Sequence, residues 1–232
     1  MTVQTDPAGD PATQLHTDLS LRVVVDTHRL AWLPSPQPGV ERRMLERDGG
    51  EVARATTIVR FAPGASFAGH EHGGGEEIYV LEGGFSDEHG SYPAGGYLRN
   101  PPGSRHAPTS AGGCLLLVKL RQLPAGERER LVVGANENPW RPGRVEGVEI
   151  RPLFGAPGGG EWVYLVRFQP GATLGRDEHE GGEELFVLSG VQEDEFGRYP
   201  AGTWLRQPAG SVHHPRSPEG STLWVKRGHL PG

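Results

Sequence analysis

Short apolar runs, each bounded by glycine or proline, follow one another along this chain of 232 residues. Examples are residues 56–61 (TTIVRF), 78–81 (IYVL) and 114–120 (CLLLVKL), with turn sequences such as 73–75 (GGG) between them. Apart from a short piece at 127–131, no stretch longer than about ten residues keeps the 3.6-residue apolar period of an amphipathic helix. The pattern predicts an all-β protein, and closure into jelly-roll barrels is the usual way in which such strands leave no exposed edge.

The second half of the chain repeats the first. Residues 60–65 (RFAPGA) recur as 167–172 (RFQPGA), and 76–81 (EEIYVL) recur as 183–188 (EELFVL), both displaced by 107 positions. This displacement holds without a gap over roughly 60 residues and becomes 108 upstream of them. Two copies of this length indicate duplicated domains, because a solenoid would need three or more short repeats.

The repeat also predicts the domain boundaries. The first unit is expected at residues 22–123 and the second at 130–232. Residues 124–129 are polar and marked by proline and glycine, which is typical of a linker. Residues 1–21 begin with a polar, acidic stretch and are expected to form a flexible tail.

Composition excludes several classes of protein. A net charge of −6 and a pI of about 5.9 argue against a surface for nucleic acid or for anionic membranes. The single cysteine, Cys114, cannot form an intrachain disulfide and lies in an apolar run, so we predict a buried strand residue. The sequence has no apolar run of about 18 residues and no apolar signal core at its start, so a cytoplasmic location is expected.

Four residues of the first unit have the types and spacing of metal ligands: His70, His72, Glu76 and His106. Residues i and i+2 of a strand face the same side, so His70 and His72 project together. Glu76 opens the next apolar run, and His106 follows a Pro-Pro-Gly turn from which it could close the set. Three neutral imidazoles and one carboxylate would hold a divalent first-row metal and leave open positions for water or substrate. The alternative is a group of surface-loop histidines without a metal. Arg105, beside His106, could bind a substrate anion or form an exposed ion pair.

The second unit departs from this pattern. The displacement of 107 places Asp177, His179, Glu183 and His213 at the corresponding positions, with Asp177 in place of a histidine. Two carboxylates would cancel the charge of a divalent metal and would favour harder ions. The second unit is therefore either a second, altered metal site or a degenerate copy that is kept for packing.

The segment 70–83 (HEHGGGEEIYVLEG), together with 100–106 (NPPGSRH), resembles the two motifs of the cupins, and most closely those of the ChrR-type cupin family. That family includes the cupin half of zinc-binding anti-sigma factors. A looser resemblance is to small cupin dioxygenases. The resemblance implies two tandem cupin barrels, and it implies that His70, His72, Glu76 and His106 are metal ligands.

A metal with open positions could bind a pair of substrate oxygens and bring dioxygen beside them, so the first hypothesis is a metal-dependent oxygenase that acts on a small oxygen-rich molecule such as a diketone, an enediol or a hydroxyketone. Iron(II) is the expected metal, with zinc, manganese and nickel as alternatives. A second hypothesis, which the resemblance to ChrR-type cupins suggests, is a regulatory sensor, and a third is a binding or storage cupin without turnover. No His-x3-Cys-x2-Cys motif of a sigma-binding half precedes the first unit in this sequence, so we favour the oxygenase.

The expected partner is a small-molecule substrate, with neither nucleic acid nor membrane, and a protein partner is expected only for the sensor. Cupin units commonly pair through edge strands, and the duplication could already supply that pairing in one chain, so the sequence leaves a homodimer open.

Overall fold

The computed structural model describes residues 13–50 and 52–232, and their regular structure is almost entirely β-strand. This confirms the predicted all-β class. Residues 1–12 of the predicted tail lie outside the described residues. Among the described residues, no helix is long and apolar enough to cross a membrane.

The strands of the first half of the chain are β1 (Gln14–Leu15), β2 (Val23–Asp26), β3 (Leu33–Pro34), β4 (Val40–Asp48), β5 (Arg54–Phe61), β6 (Ala65–Ser66), β7 (His70–His72), β8 (Glu76–Asp87), β9 (Gly90–Pro93), β10 (Tyr97–Asn100), β11 (Ser104–His106), β12 (Thr109–Ser110), β13 (Cys114–Leu120) and β14 (Leu131–Val133). A 3-10 helix at Thr27–Arg29 follows β2. The second half contains β15 (Arg141–Pro142), β16 (Val148–Phe154), β17 (Trp162–Phe168), β18 (Ala172–Thr173), β19 (Asp177–His179), β20 (Glu183–Asp194), β21 (Gly197–Pro200), β22 (Thr203–Gln207), β23 (Ser211–His213), β24 (Arg216–Ser217) and β25 (Ser221–Arg227).

These strands form two compact units, and each unit is built from two separate parts of the chain. The first contains residues 13–17 and Trp32–Val132, and the second contains Asp18–Ala31 and Val133–Gly232. The units therefore differ from the predicted 22–123 and 130–232 at both junctions. Strand pairing is the reason: β2 pairs with β22 of the second unit, and β14 pairs with β10 of the first.

The two units have matching sheets. In the first, the main sheet has the order β1-β4-β5-β13-β8-β10-β14, and β7 pairs with β11 in a separate small sheet. In the second, the order is β15-β16-β17-β25-β20-β22-β2, and β19 pairs with β23. The small sheets carry the predicted ligand motifs: His70 is paired with His106, and Asp177 with His213.

The core of each unit lies on one face of the main sheet. In the first unit, alternate residues of β8 and β13 face inward and are almost fully buried: Ile78, Val80, Leu116 and Val118. Their counterparts in the second unit are buried in the same way. Cys114 is buried in this row, which confirms its prediction as a strand residue. Burial raises the pKa of its thiol.

Candidate metal centres and the cavity of the first unit

The structure brings together all four predicted ligands of the first unit. His70, His72 and His106 each place one ring nitrogen within 4.8 Å of the others. An Oε2 atom of Glu76 lies 3.3 Å from Nε2 of His72 and 3.4 Å from Nε2 of His106. Because β8 begins at Glu76 and runs directly on from the turn after β7, the carboxylate reaches the same point as the imidazoles. Three nitrogens and one oxygen therefore converge, as a first-row metal ion requires.

Hydrogen bonds at the outer ring nitrogens prepare these imidazoles for a metal. Nδ1 of His70 lies 2.9 Å from the carbonyl oxygen of Ala68, and Nδ1 of His106 lies 3.1 Å from Oδ2 of Asp87. A neutral ring that donates from Nδ1 keeps the lone pair of Nε2 for a metal. Nε2 of His72 and of His106 is buried and has no hydrogen-bond partner among the described residues. Burial lowers the pKa of His72, which favours its neutral, metal-binding form. These donors fit a divalent transition metal.

Arg130 supports two of the four residues, each through one intermediate side chain. Its Nε donates to Oδ1 of Asn100 at 2.9 Å, and Asn100 in turn donates to Oε2 of Glu76 at 3.0 Å. The Arg130 guanidinium also lies 3.6 Å from Oδ2 of Asp87, the carboxylate that holds His106. Arg130 is therefore a positioning residue for both a carboxylate and an imidazole ligand.

The second unit has the same support, which the sequence did not predict in either unit. Arg22, 108 positions before Arg130, donates to Gln207 at 3.1 Å and pairs with Asp194 at 3.5 Å. Asp194 in turn lies 3.0 Å from Nδ1 of His213. The repetition of the arginine in both units could have pointed to it. Nothing in the sequence, however, links Arg22 to Gln207, which lies in a strand far along the chain.

A cavity of about 310 Å³ opens beside the predicted metal ligands of the first unit. Most of its wall is apolar, from Phe61, Phe67, Ile78, Phe85, Leu116, Val118 and Leu120. Arg42 and Arg121 also line it. Arg105, the predicted anion-binding residue, is not among the lining residues; its side chain is 75% exposed and pairs with Glu71 at 2.7 Å.

The predicted residues of the second unit also converge. Asp177, His179 and His213 each place one atom within 4.8 Å of the others. An Oε1 atom of Glu183 lies 3.7 Å from Nε2 of His179 and 3.8 Å from Nε2 of His213. By distance alone this group could hold a metal ion as well.

Arg227 gives the second group a different chemistry. Its guanidinium lies 2.5 Å from Nδ1 of His179, 3.1 Å from Oδ1 of Asp177 and 3.6 Å from Oε2 of Glu183. A guanidinium has only donors, so Nδ1 of His179 accepts, and the neutral ring must carry its hydrogen on Nε2. Burial, together with the charge of Arg227, lowers the pKa of His179 to about 3 and keeps the ring neutral. The hydrogen bonding of His179 therefore opposes the metal binding that the distances allow.

Two further differences separate the second unit from the first. Arg144 lies 3.2 Å from Oδ1 of Asp177, so two arginines balance the two carboxylates of the group. The inner cavity measures only about 30 Å³. Tyr164 lines it at the position that corresponds to Thr57, and its ring stacks on Trp162 at 3.8 Å. The apolar interior of the second unit is thus filled, and the larger space beside its ligand group is a separate polar cleft of about 610 Å³ lined by Arg144, Asp177, His179 and Arg227.

Solved structures share this fold. A protein described as a "putative dioxygenase" from Nostoc punctiforme PCC 73102 has 14% identity and a TM-score of 0.72, over 91% of this chain and 84% of that chain. Protein Ylba from E. coli has 19% identity and a TM-score of 0.70, over 93% and 94%. Oxalate decarboxylase from Bacillus subtilis, with Mn(II) centres, has 16% identity and a TM-score of 0.61, over 96% and 81%. No curated protein matches in sequence.

The family, in contrast, is determined by sequence. The profile of the ChrR cupin-like domain matches residues 20–124 and again residues 128–231, so it covers almost the whole chain in two copies. The two matches coincide with the repeat, and each covers most of one jelly-roll unit. The chain belongs to the ChrR cupin-like domain family, as a tandem of two cupins.

Proposed function

We propose that the first unit is the catalytic centre of a metal-dependent oxygenase that acts on a small oxygen-rich molecule such as a diketone, an enediol or a hydroxyketone. One observation carries the proposal: the convergence of three imidazoles and the Glu76 carboxylate beside an apolar cavity of about 310 Å³. A volume of this order suits one small ligand. His70, His72, Glu76 and His106 are the proposed metal ligands, and iron(II) is the proposed metal.

The residues of the site have separate tasks in this proposal. When bound, the metal would supply Lewis acidity and open coordination positions for a substrate with two neighbouring oxygens. Three neutral imidazoles and one carboxylate leave a divalent centre with a charge of about +1, which an enolate would neutralise. Asp87 and the Ala68 carbonyl orient the imidazoles. The phenylalanines of the wall exclude water from the reacting end.

The second unit has no such role in the proposal. Its inner cavity of about 30 Å³ is too small for a substrate. Its larger cleft, of about 610 Å³, is polar, and there Arg227 occupies the hydrogen-bonding capacity of His179. We infer one catalytic centre in each chain, with the second unit serving the fold. The structural similarity to a putative dioxygenase and to oxalate decarboxylase supports only the cupin fold. The proposed reaction is inferred from the residues of the site and from the cavity beside them.

The test is oxygen uptake by iron(II)-loaded protein with a panel of diketones and hydroxyketones. We expect uptake with at least one compound, loss of that uptake in His72→Ala, and retention in the matched variant His179→Ala. Absence of uptake with every compound, combined with tight zinc binding and a specific protein partner recovered in pull-downs, would overturn the oxygenase and favour a sensor.

A further inference from the structure

The cavity of the first unit has a cation in its wall that no carboxylate of the described residues balances. Arg42, on β4, lines the cavity and is half-buried. Its Nε is buried without a hydrogen-bond partner, and among residues 13–50 and 52–232 no carboxylate pairs with its guanidinium. Nearby arginines differ: Arg60 pairs with Glu41, and Arg43 stacks on Trp32 at 4.2 Å.

The two described acids in the cavity wall are already engaged. Glu76 accepts a hydrogen bond from Asn100 at 3.0 Å and faces the imidazoles, and Glu71 pairs with Arg105. Neither balances Arg42. An unpaired charge against an apolar wall is unfavourable, and an anionic ligand would relieve that cost. The cavity is therefore electrostatically prepared for an anion.

The repeat shows that the fold does not need this cation. The residue at the position of Arg42 in the second unit is Ile150, 108 positions later. The arginines that do lie near the second ligand group, Arg144 and Arg227, are both bound to Asp177. Among the described residues, a cavity-lining arginine without an ion pair is thus a feature of the first unit.

A second arginine of the cavity wall, Arg121, has a backbone conformation that favours glycine. Arg121 has φ +58°, in the left-handed region that favours glycine, and its counterpart Gly228 has φ +75°. The side chain of Arg121 is exposed and lines the cavity, and it has no ion pair with any residue that the structure describes. A side chain kept at a strained position beside a cavity is a pointer to function.

We propose that Arg42, with Arg121 as a second cation, binds the carboxylate of the substrate while the metal end takes its other oxygens. The substrate is then a small oxo or hydroxy acid with an apolar body, because the cavity wall between the polar groups is mainly aromatic and aliphatic. A guanidinium binds a planar carboxylate through two parallel hydrogen bonds. This inference rests on the proposed function for the assignment of the reacting end.

The experiment measures equilibrium binding to the zinc-loaded protein, so that turnover is not needed. The probes are matched pairs of an acid and its uncharged amide: acetoacetate with acetoacetamide, and benzoylacetate with benzoylacetamide. We expect at least one acid to bind about tenfold or more tightly than its amide, as a hydrogen-bonded ion pair predicts. In Arg42→Ile, which introduces the residue of the second unit, that preference should fall to about one while zinc content stays unchanged. Arg105→Gln, which removes an exposed arginine outside the cavity, should keep the full preference.

Three results would overturn the inference: no binding of either acid to the wild-type protein, equal binding of acid and amide, or an acid preference that survives Arg42→Ile. In the last case the carboxylate binds the metal directly. Failure of oxygen uptake with the acid preference intact would overturn the oxygenase and leave the anion site standing.

Discussion

Arg227 donates a hydrogen bond to Nδ1 of His179 at 2.5 Å, and this bond makes the chemistry of the second unit different from that of the first. At the corresponding position of the first unit stands Leu120, an apolar residue of the cavity wall. One side chain thus converts a group of metal-ligand types into an internal ion-pair cluster, because the guanidinium fixes the tautomer of the imidazole and pairs with Asp177. The duplicated site has kept its shape and changed its chemistry.

Restoring the second site should require two substitutions. Asp177→His alone completes a three-histidine set but leaves Arg227 bound to His179, so we expect no additional metal. Asp177→His combined with Arg227→Leu gives the second unit the ligand types of the first and the counterpart of Leu120, and it should raise the metal content toward two ions per chain, measured by elemental analysis after dialysis. An extra ion in the single variant would show that Arg227 does not control the site.

The reverse change should remove metal from the first site while all four ligands remain. Leu120→Arg places a guanidinium beside His72 in a unit that has only one carboxylate in its ligand set, so charge repulsion disfavours the metal. We expect most of the metal to be lost. Leu120→Met, which keeps the apolar volume, should retain it. Equal metal content in the two variants would contradict the electrostatic account.

Arg130 should tune the affinity of the first site without touching the metal. Arg130→Leu removes the hydrogen-bond donor of Asn100 and the ion-pair partner of Asp87, and loss of such an outer partner typically lowers metal affinity about 10–100-fold. Competition with a chelator measures this change. Arg22→Leu removes the equivalent arginine of the second unit and should leave the affinity of the first site unchanged. A similar loss in both variants would point to a general effect on the fold.

Cavity size should control substrate binding separately from metal binding. Thr57→Tyr copies Tyr164, which faces the small inner cavity of the second unit. The variant should keep its metal and lose binding of the acid probes, which calorimetry on the zinc-loaded protein would show. Undiminished probe binding would mean that the substrate lies elsewhere in the cavity.

The sequence predicted the features that depend on local periodicity. Alternation along a strand places His70 and His72 on one face, and the turn that follows returns the chain at Glu76, so the converging set could be predicted without coordinates. The pairing of β2 with β22 and of β14 with β10 could not be predicted, because a sequence repeat does not show which copy a strand will pair with. The roles of Arg42 and Arg227 depend on what lies across the barrel, and in sequence both look like ordinary strand arginines.

The central claim is that one metal ion binds per chain, at the first unit, and its most direct test is the metal content of three proteins purified without chelator. We predict about one divalent ion per chain for the wild-type protein, close to none for His106→Ala, and an unchanged value for His213→Ala, since each imidazole is the counterpart of the other. Two ions per wild-type chain, or the same loss in both variants, would contradict the account.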